Sequence, residues 1–243
     1  FIVSPFSMAA FDILEKINID AYKIASGEVT NIPLIEKIAN SDKAVYISSG
    51  MSTYSEIDRA INIFNNKKNI TLMQCTSMYP CELNYVGLNV LKLFKERYQL
   101  DIGFSDHTTS NTAALLAFSL GANSIEKHLT FSKKMYGSDA KNASTFEEFD
   151  LLVNDIKYLE RLINNQVDKN DLSLYKEMRK IFFKSIVTKR SLKMGDIIKA
   201  SDLTLKKPGH GLSAIEIENL VGKKVKVNIE KDTIIKSEHY DKN

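Results

Sequence analysis

The chain has 243 residues, 44% of them apolar, with 33 basic and 30 acidic side chains and a net charge of +3. That suffices for one large core and a small second module, while the scattered basic residues offer no footprint for nucleic acid or a membrane surface. Apolar runs fall short of the ~20 residues that a membrane span needs, and two cysteines are too few for a disulfide framework, so the expected compartment is the cytoplasm.

Taken in order, β-rich runs occur at Phe1–Val3, Tyr22–Ala25, Ala44–Ser48, Ile70–Cys75, Asp101–Ser105 and Ser124–Leu129. Between and after them lie segments with apolar residues three and four apart: Ala10–Ile17, Ile32–Ala39, Ser55–Phe64, Leu88–Tyr98, Asn111–Leu120 and Phe146–Ile163. Thr53 with Glu56 and Thr145 with Glu148 have the spacing of capping boxes. Such alternation predicts right-handed parallel βα units, six of the eight that close a (β/α)8 barrel. The first residues, Phe1 to Phe6, read as a buried strand with no preceding cap, so the expectation is the carboxy-terminal part of a longer protein lacking its first two strands. Such an open barrel has two unpaired edges, which predicts that these 243 residues alone are unstable and inactive.

Residues 1–164 are therefore expected to form the barrel, 165–183 a linker, and 184–243 a small β-rich domain. In that last part, Ser191–Lys199 resembles Asn228–Lys236, which suggests two related halves with turns at Gly195 and Asp232.

The chemistry gathers at the strand ends. Gly103-Phe104-Ser105-Asp106-His107 and Ile125-Glu126-Lys127-His128 each close a strand on a histidine, and alternation puts Ser105 with His107, and Glu126 with His128, on one face. In adjacent barrel strands both imidazoles would open on one mouth and could hold a divalent ion with open positions, Mn²⁺ or Mg²⁺ rather than a caged Zn²⁺. The residues alone leave open the alternative that each histidine is a satisfied polar core group. Glu126 is expected to orient the site and Asp106 to cap the next helix. Lys23 lies inside an apolar strand and needs an anion, either a ligand or an internal carboxylate. The Ser26-Gly27-Glu28 turn that follows could cradle a phosphate or carboxylate. Ser48-Ser49-Gly50-Met51 repeats the small-residue strand end and is weak by itself. Cys75 reads as a strand-end core residue and Cys81 as a loop residue. Tyr79 is either a rim phenol or a core aromatic, and Asp139 either binds sugar hydroxyls or is solvated.

These motifs, in order with Ser4-Pro5-Phe6 and Cys75-Thr76-Ser77-Met78-Tyr79-Pro80, resemble the sialic acid synthase family, which includes N-acetylneuraminate, legionaminate and pseudaminate synthases. The tail, with Lys206-Lys207-Pro208-Gly209-His210-Gly211, resembles that family's antifreeze-like (SAF, β-clip) domain. The resemblance implies an incomplete TIM barrel followed by that domain. It implies a transferase that condenses phosphoenolpyruvate with an N-acetylated aminosugar, N-acetylmannosamine or a diacetylated relative, and releases phosphate. It implies that His107 and His128 hold Mn²⁺ or Mg²⁺ and that Glu28 and Glu126 join them as catalytic groups. Ser4, Lys23, Ser26, Ser77 and Ser105 would bind phosphoenolpyruvate, with Glu28, Tyr79 and Asp139 on the sugar and Lys207 contributing from the tail. A domain-swapped homodimer is implied as well. Ser77 stands where the best-known sialic acid enzymes have Asn, which points towards the legionaminate or pseudaminate branches, and Lys207 stands where Arg is usual. The family's first two strands, with a glutamate and a phosphate-binding lysine, have no counterpart here. The competing reading is a catalytically incompetent fragment that retains a carbohydrate-binding antifreeze-like module. A third is another phosphoenolpyruvate–aldose synthase of this barrel type.

Overall fold

In the computed structural model, which describes residues 1–65 and 69–241, each apolar run of the first part becomes a strand and each amphipathic run a helix leading on from it. The order is β1 (Ile2–Val3), α1 (Met8–Lys16), β2 (Ala21–Ile24), α2 (Ile32–Ala39), β3 (Ala44–Ser48), α3 (Tyr54–Asn62), β4 (Ile70–Cys75), α4 (Asn89–Tyr98), β5 (Asp101–Asp106), α5 (Thr112–Ser119), β6 (Ser124–Lys127) and α6 (Phe146–Asn164). The six strands pair in sequence order and all in parallel, an incomplete (β/α)8 barrel. Helix starts follow local chemistry. Ser7 caps α1, and Thr53/Glu56 and Thr145/Glu148 form complete capping boxes on α3 and α6.

Alternation along the strands sorts the side chains into two layers. Tyr22, Ile24, Val45, Ile47, Leu72 and Phe104 join the core that also takes in helix residues such as Leu34, Ile38, Leu91 and Phe94. Their neighbours Lys23, Ser48, Cys75, Ser105 and Glu126 line the opposite, inner side. The sheet is strongly curled. In a flat sheet β2 and β6 would stand four spacings apart, roughly 19 Å, yet Lys23 Nζ on β2 lies 3.1 Å from Glu126 Oε2 on β6.

Two local expectations are corrected. The last rung between β5 and β6 pairs Asp106 with Lys127, so His107 and His128 lie one residue beyond the strands, and Leu129 makes only an isolated bridge with Ser144. Asp106 does not cap α5. The N-cap of that helix is Asn111, whose side chain makes no capping bond and donates instead to the Glu148 carbonyl, while Asp106 is buried against Lys127. The loop residue Cys81 is itself buried, its N–H donating to the His107 carbonyl.

The chain divides into two compact units, Phe1–Gln166 and the residues from Val167 on. The helical part of the expected linker, α7 (Lys176–Phe182), groups with the second unit, where the Gly209 N–H donates to the Lys180 carbonyl. Of the expected tail domain, residues 242 and 243 lie outside the described residues. There β7 (Ser185–Thr188) and β8 (Leu203–Lys206) pair antiparallel, followed by α8 (Ile217–Leu220). The internal repeat is visible as structure. Leu192 and Ile229 bond each other through both backbone groups at 2.8 Å, Gly195 and Asp232 take positive φ of 92° and 64° at equivalent turns, and Ile198 and Ile235 are both fully buried. The cores of the two halves meet in one cluster. Ile198→Ala and Ile235→Ala should therefore destabilise this unit by similar amounts, about 2–5 kcal/mol each, read as a shift of its transition in urea unfolding.

Candidate active site

The inner side of the curled sheet encloses a cavity of about 900 Å³. Its lining comes from every strand: Ser4 just after β1, Lys23 and Ser26 from β2 and its turn, Ser48 from β3, Cys75, Ser77 and Tyr79 from β4 and its loop, Ser105 and His107 from β5, and Glu126 and His128 from β6. Nine of the residues singled out from sequence thus meet in one space: Ser4, Lys23, Ser26, Ser77, Tyr79, Ser105, His107, Glu126 and His128.

Strand alternation turns these polar side chains inward. Lys23, 9% exposed, donates to Glu126 Oε1 at 3.2 Å, and the Ser105 hydroxyl donates to the same oxygen at 2.9 Å. The internal carboxylate left open above is therefore Glu126. The hydroxyls of Ser48 and Ser77 are buried with no hydrogen-bond partner among the described residues. Such groups normally find one, and these two sit where a bound molecule would supply it. Gly50 keeps this corner open: its φ is +35°, and a Cβ there would fall 2.1 Å from Ser26 Oγ and 2.7 Å from Ser77 Oγ.

The two imidazoles lie side by side, ring centroids 5.3 Å apart, with the Tyr79 ring 4.3 Å from His107 and 5.9 Å from His128. His107 Nδ1 is 2.9 Å from the Thr76 carbonyl. A carbonyl only accepts, so Nδ1 carries a proton, and in the neutral ring Nε2 presents a lone pair. Burial presses the His107 pKa down, but bonds to the Cys75 thiol and the Thr76 carbonyl outweigh it and the net shift is upward. For His128, burial and then the neighbouring His107 push the pKa down, leaving that ring neutral at pH 7. Burial opposes ionisation of Cys75, yet its bonds to His107, at 3.9 Å, and to Ser26, at 3.6 Å, draw its pKa below the usual thiol value.

Two neighbouring imidazole donors suit a divalent ion held loosely, with remaining positions left to water and substrate. Among the described residues no three or more His, Cys, Asp or Glu come together in a group that could hold a metal ion. Two imidazoles accept several divalent metals, and the expectation of Mn²⁺ or Mg²⁺ comes from the family resemblance.

The remaining expected residues stand elsewhere. Glu28 is not part of the lining; its carboxylate accepts from the Asn31 amide at 2.6 Å. Asp139 lies on the loop after β6, its Oδ2 3.7 Å from His128 Nδ1, beside a shallower hollow that shares His128. Lys207 belongs to the second unit, exposed, with its ammonium 5.2 Å from the Phe182 ring centre. Sequence reasoning passed over Ser48, whose signal was its place in the small-residue end of β3. It also passed over Phe149 of α6, which lines the cavity, and Lys127.

Residues 1–168 match the model of the NeuB family, and residues 183–240 match the SAF domain. The chain belongs to the NeuB family. It is 35% identical to the N,N'-diacetyllegionaminic acid synthase of Campylobacter jejuni over 97% of this chain and 72% of that protein. It is 31% identical to human N-acetylneuraminate-9-phosphate synthase over 99% of this chain and 68% of that one. A solved structure, the N-acetylneuraminic acid synthetase of Leptospira borgpetersenii in complex with citrate, superposes with a TM-score of 0.66 at 31% identity, over 72% of this chain and 62% of that one. This NeuB-family chain thus spans about two thirds of the length of these proteins. No helix among its described residues is long and apolar enough to cross a membrane.

The Lys23–Glu126 pair is asymmetric, the lysine side chain being 11% exposed and the glutamate 44%. Glu126→Leu strands a buried ammonium and should destabilise the protein by about 1–3 kcal/mol. Lys23→Met leaves a carboxylate that water still reaches and should cost less. Urea unfolding of the two variants measures the difference.

Proposed function

We propose that this NeuB-family protein condenses phosphoenolpyruvate with an N-acetylated aminosugar, giving a nonulosonic acid of the sialic type and free phosphate. The observation that carries the reading is the inner face itself: a buried lysine, a set of serine hydroxyls, two of them unpartnered, and a pair of imidazoles share one cavity. The names of its relatives, which are synthases of legionaminic and neuraminic acids, support the same class of product.

Phosphoenolpyruvate presents a carboxylate and a phosphate, and the cavity answers with donors. The Lys23 ammonium and the hydroxyls of Ser4, Ser26, Ser48, Ser77 and Ser105 all line it, and they would bind the two anionic groups and fix the enol carbon in one orientation. Tyr79 and Asp139, grouped about His128, would contact the open-chain sugar, and Glu28 reaches it only by leaving Asn31. Carbon 3 of phosphoenolpyruvate then bonds to the aldehyde carbon, water adds at carbon 2, and the carbon–oxygen bond to phosphate breaks. Glu126, held by Lys23 and Ser105, keeps a negative charge beside the centre where positive charge develops. His107 and His128 would hold Mn²⁺ or Mg²⁺, which as a Lewis acid supplies polarisation of the aldehyde.

The six strands make an incomplete barrel, so the test is incubation of the full-length gene product with phosphoenolpyruvate, Mn²⁺ and either N-acetylmannosamine or a diacetylated trideoxyhexose, with phosphate release and product mass followed together. A condensation product with stoichiometric phosphate is expected, removal of the metal by EDTA should stop it, and added Mn²⁺ should restore it. His107→Ala and His128→Ala should each lower the rate by about 10²–10³-fold, the scale of several kcal/mol of lost stabilisation. Turnover indifferent to EDTA and to both substitutions would defeat the metal assignment; no product from either acceptor would defeat the reaction class.

A further inference from the structure

The imidazole pair lies beyond the reach of the sheet that aligns it. The last two rungs that join β5 and β6 are Ser105 with Glu126 and Asp106 with Lys127, and the histidines follow them. The first faces the cavity and is bridged by a hydrogen bond of 2.9 Å. The ladder ends at the second, so no backbone pairing between the two strands holds His107 against His128. Their carbonyls are instead taken by two different loops, His107 by the Cys81 N–H at 2.9 Å and His128 by the Ser144 N–H at 2.8 Å. Those loops also touch the rings, through Thr76 and Tyr79 on one side and Asp139 on the other, but they give no reason for the two backbone segments to stay in step.

The outer face supplies one. Lys127 Nζ lies 2.7 Å from Asp106 Oδ2, and the two side chains are 1% and 0% exposed. The same ammonium donates to the carbonyls of Thr108 at 2.7 Å and Ser110 at 3.1 Å, while Asp106 Oδ1 accepts from the Thr108 N–H at 2.8 Å. All three ammonium hydrogens therefore have acceptors, and those acceptors bracket His107 on both sides in sequence. Asp106 precedes His107 as Lys127 precedes His128, so the pair joins the two chains one residue before each imidazole.

We propose that Asp106 and Lys127 are positioning residues that set the separation of His107 and His128. A buried, fully bonded ion pair has one low-energy geometry, and a loose version of it would let the residues 106–110 segment slide relative to β6. The inference rests on the proposed metal site only for its consequence, since the separation of the rings is a property of the chain itself. A site with just two protein donors is sensitive to that separation, and partners behind metal ligands commonly affect affinity by about 10–100-fold.

Lys127→Met alone leaves a buried carboxylate unpaired and risks loss of the fold. The paired variant Asp106→Asn/Lys127→Met removes both charges and keeps an acceptor for the Thr108 N–H. Its crystal structure without metal should show the rings displaced from their 5.3 Å centroid separation or disordered. Mn²⁺ titration of the full protein followed by electron paramagnetic resonance should show affinity weakened on the order of 10-fold or more, with the thermal transition still that of a folded protein. Rings unmoved in a folded paired variant overturn the proposal whatever Mn²⁺ does. Wild-type protein that binds no Mn²⁺ would remove the metal assignment, and the ring separation would still decide the positioning role.

Discussion

An ammonium placed inside a parallel sheet must have a carboxylate within reach, and here the carboxylate comes from four strands away. The Lys23–Glu126 contact, 3.1 Å across the inner side, is possible only because the sheet curls, and the curl is what turns six strand ends into one enclosed space. A flat sheet of the same residues would leave a buried lysine unpaired, at a cost of several kcal/mol. The outer apolar layer, with Ile24, Ile47, Leu72 and Phe104, packs in one core with the surrounding helices. The polar inner layer is what that curl encloses.

Two faces of the same strands thus do different work. At the ends of β5 and β6 Ser105, His107, Glu126 and His128 line the cavity, and the outer residues Asp106 and Lys127 between them form a buried ion pair. The division of labour is a consequence of period two. A one-residue slip would bury the imidazoles among the helices and put the ion pair in the cavity, so the register fixed by the Ser105–Glu126 and Asp106–Lys127 rungs is a functional constraint as much as a structural one.

Much of this was legible in the residues. Parallel strands covered on both faces read as short apolar runs, and the six runs were placed to within two residues because polar turn residues bound each of them. The boxes at Thr53 and Thr145 were legible because a cap is a local matter of four residues. What escaped was contact at long range. Nothing in Gly103–His107 says that Asp106 meets a lysine 21 positions on rather than the helix just ahead, and the Ser-Gly-Glu turn does not reveal that Asn31 takes the Glu28 carboxylate. Ser48 carried the right local pattern, small residues at a strand end, but its lack of a partner is a property of the folded cavity. Lys127 was hidden by its position between two inward-facing residues, where alternation assigns it to the helix side and therefore to the core.

The Lys23–Glu126 pair also bears on how an anionic substrate could enter a space already holding a neutralised charge. An ammonium has three hydrogens, and Glu126 offers it a single carboxylate, whose Oε1 is shared with the Ser105 hydroxyl. Donor capacity therefore remains on Lys23 for a second anion, and the carboxylate keeps its serine bond when that anion arrives. Glu126 need not be expelled for phosphate or carboxylate to bind. On the proposed reading it stays beside the Lys23 ammonium and the Ser105 hydroxyl, so the polar groups of the cavity would be in place before substrate arrives.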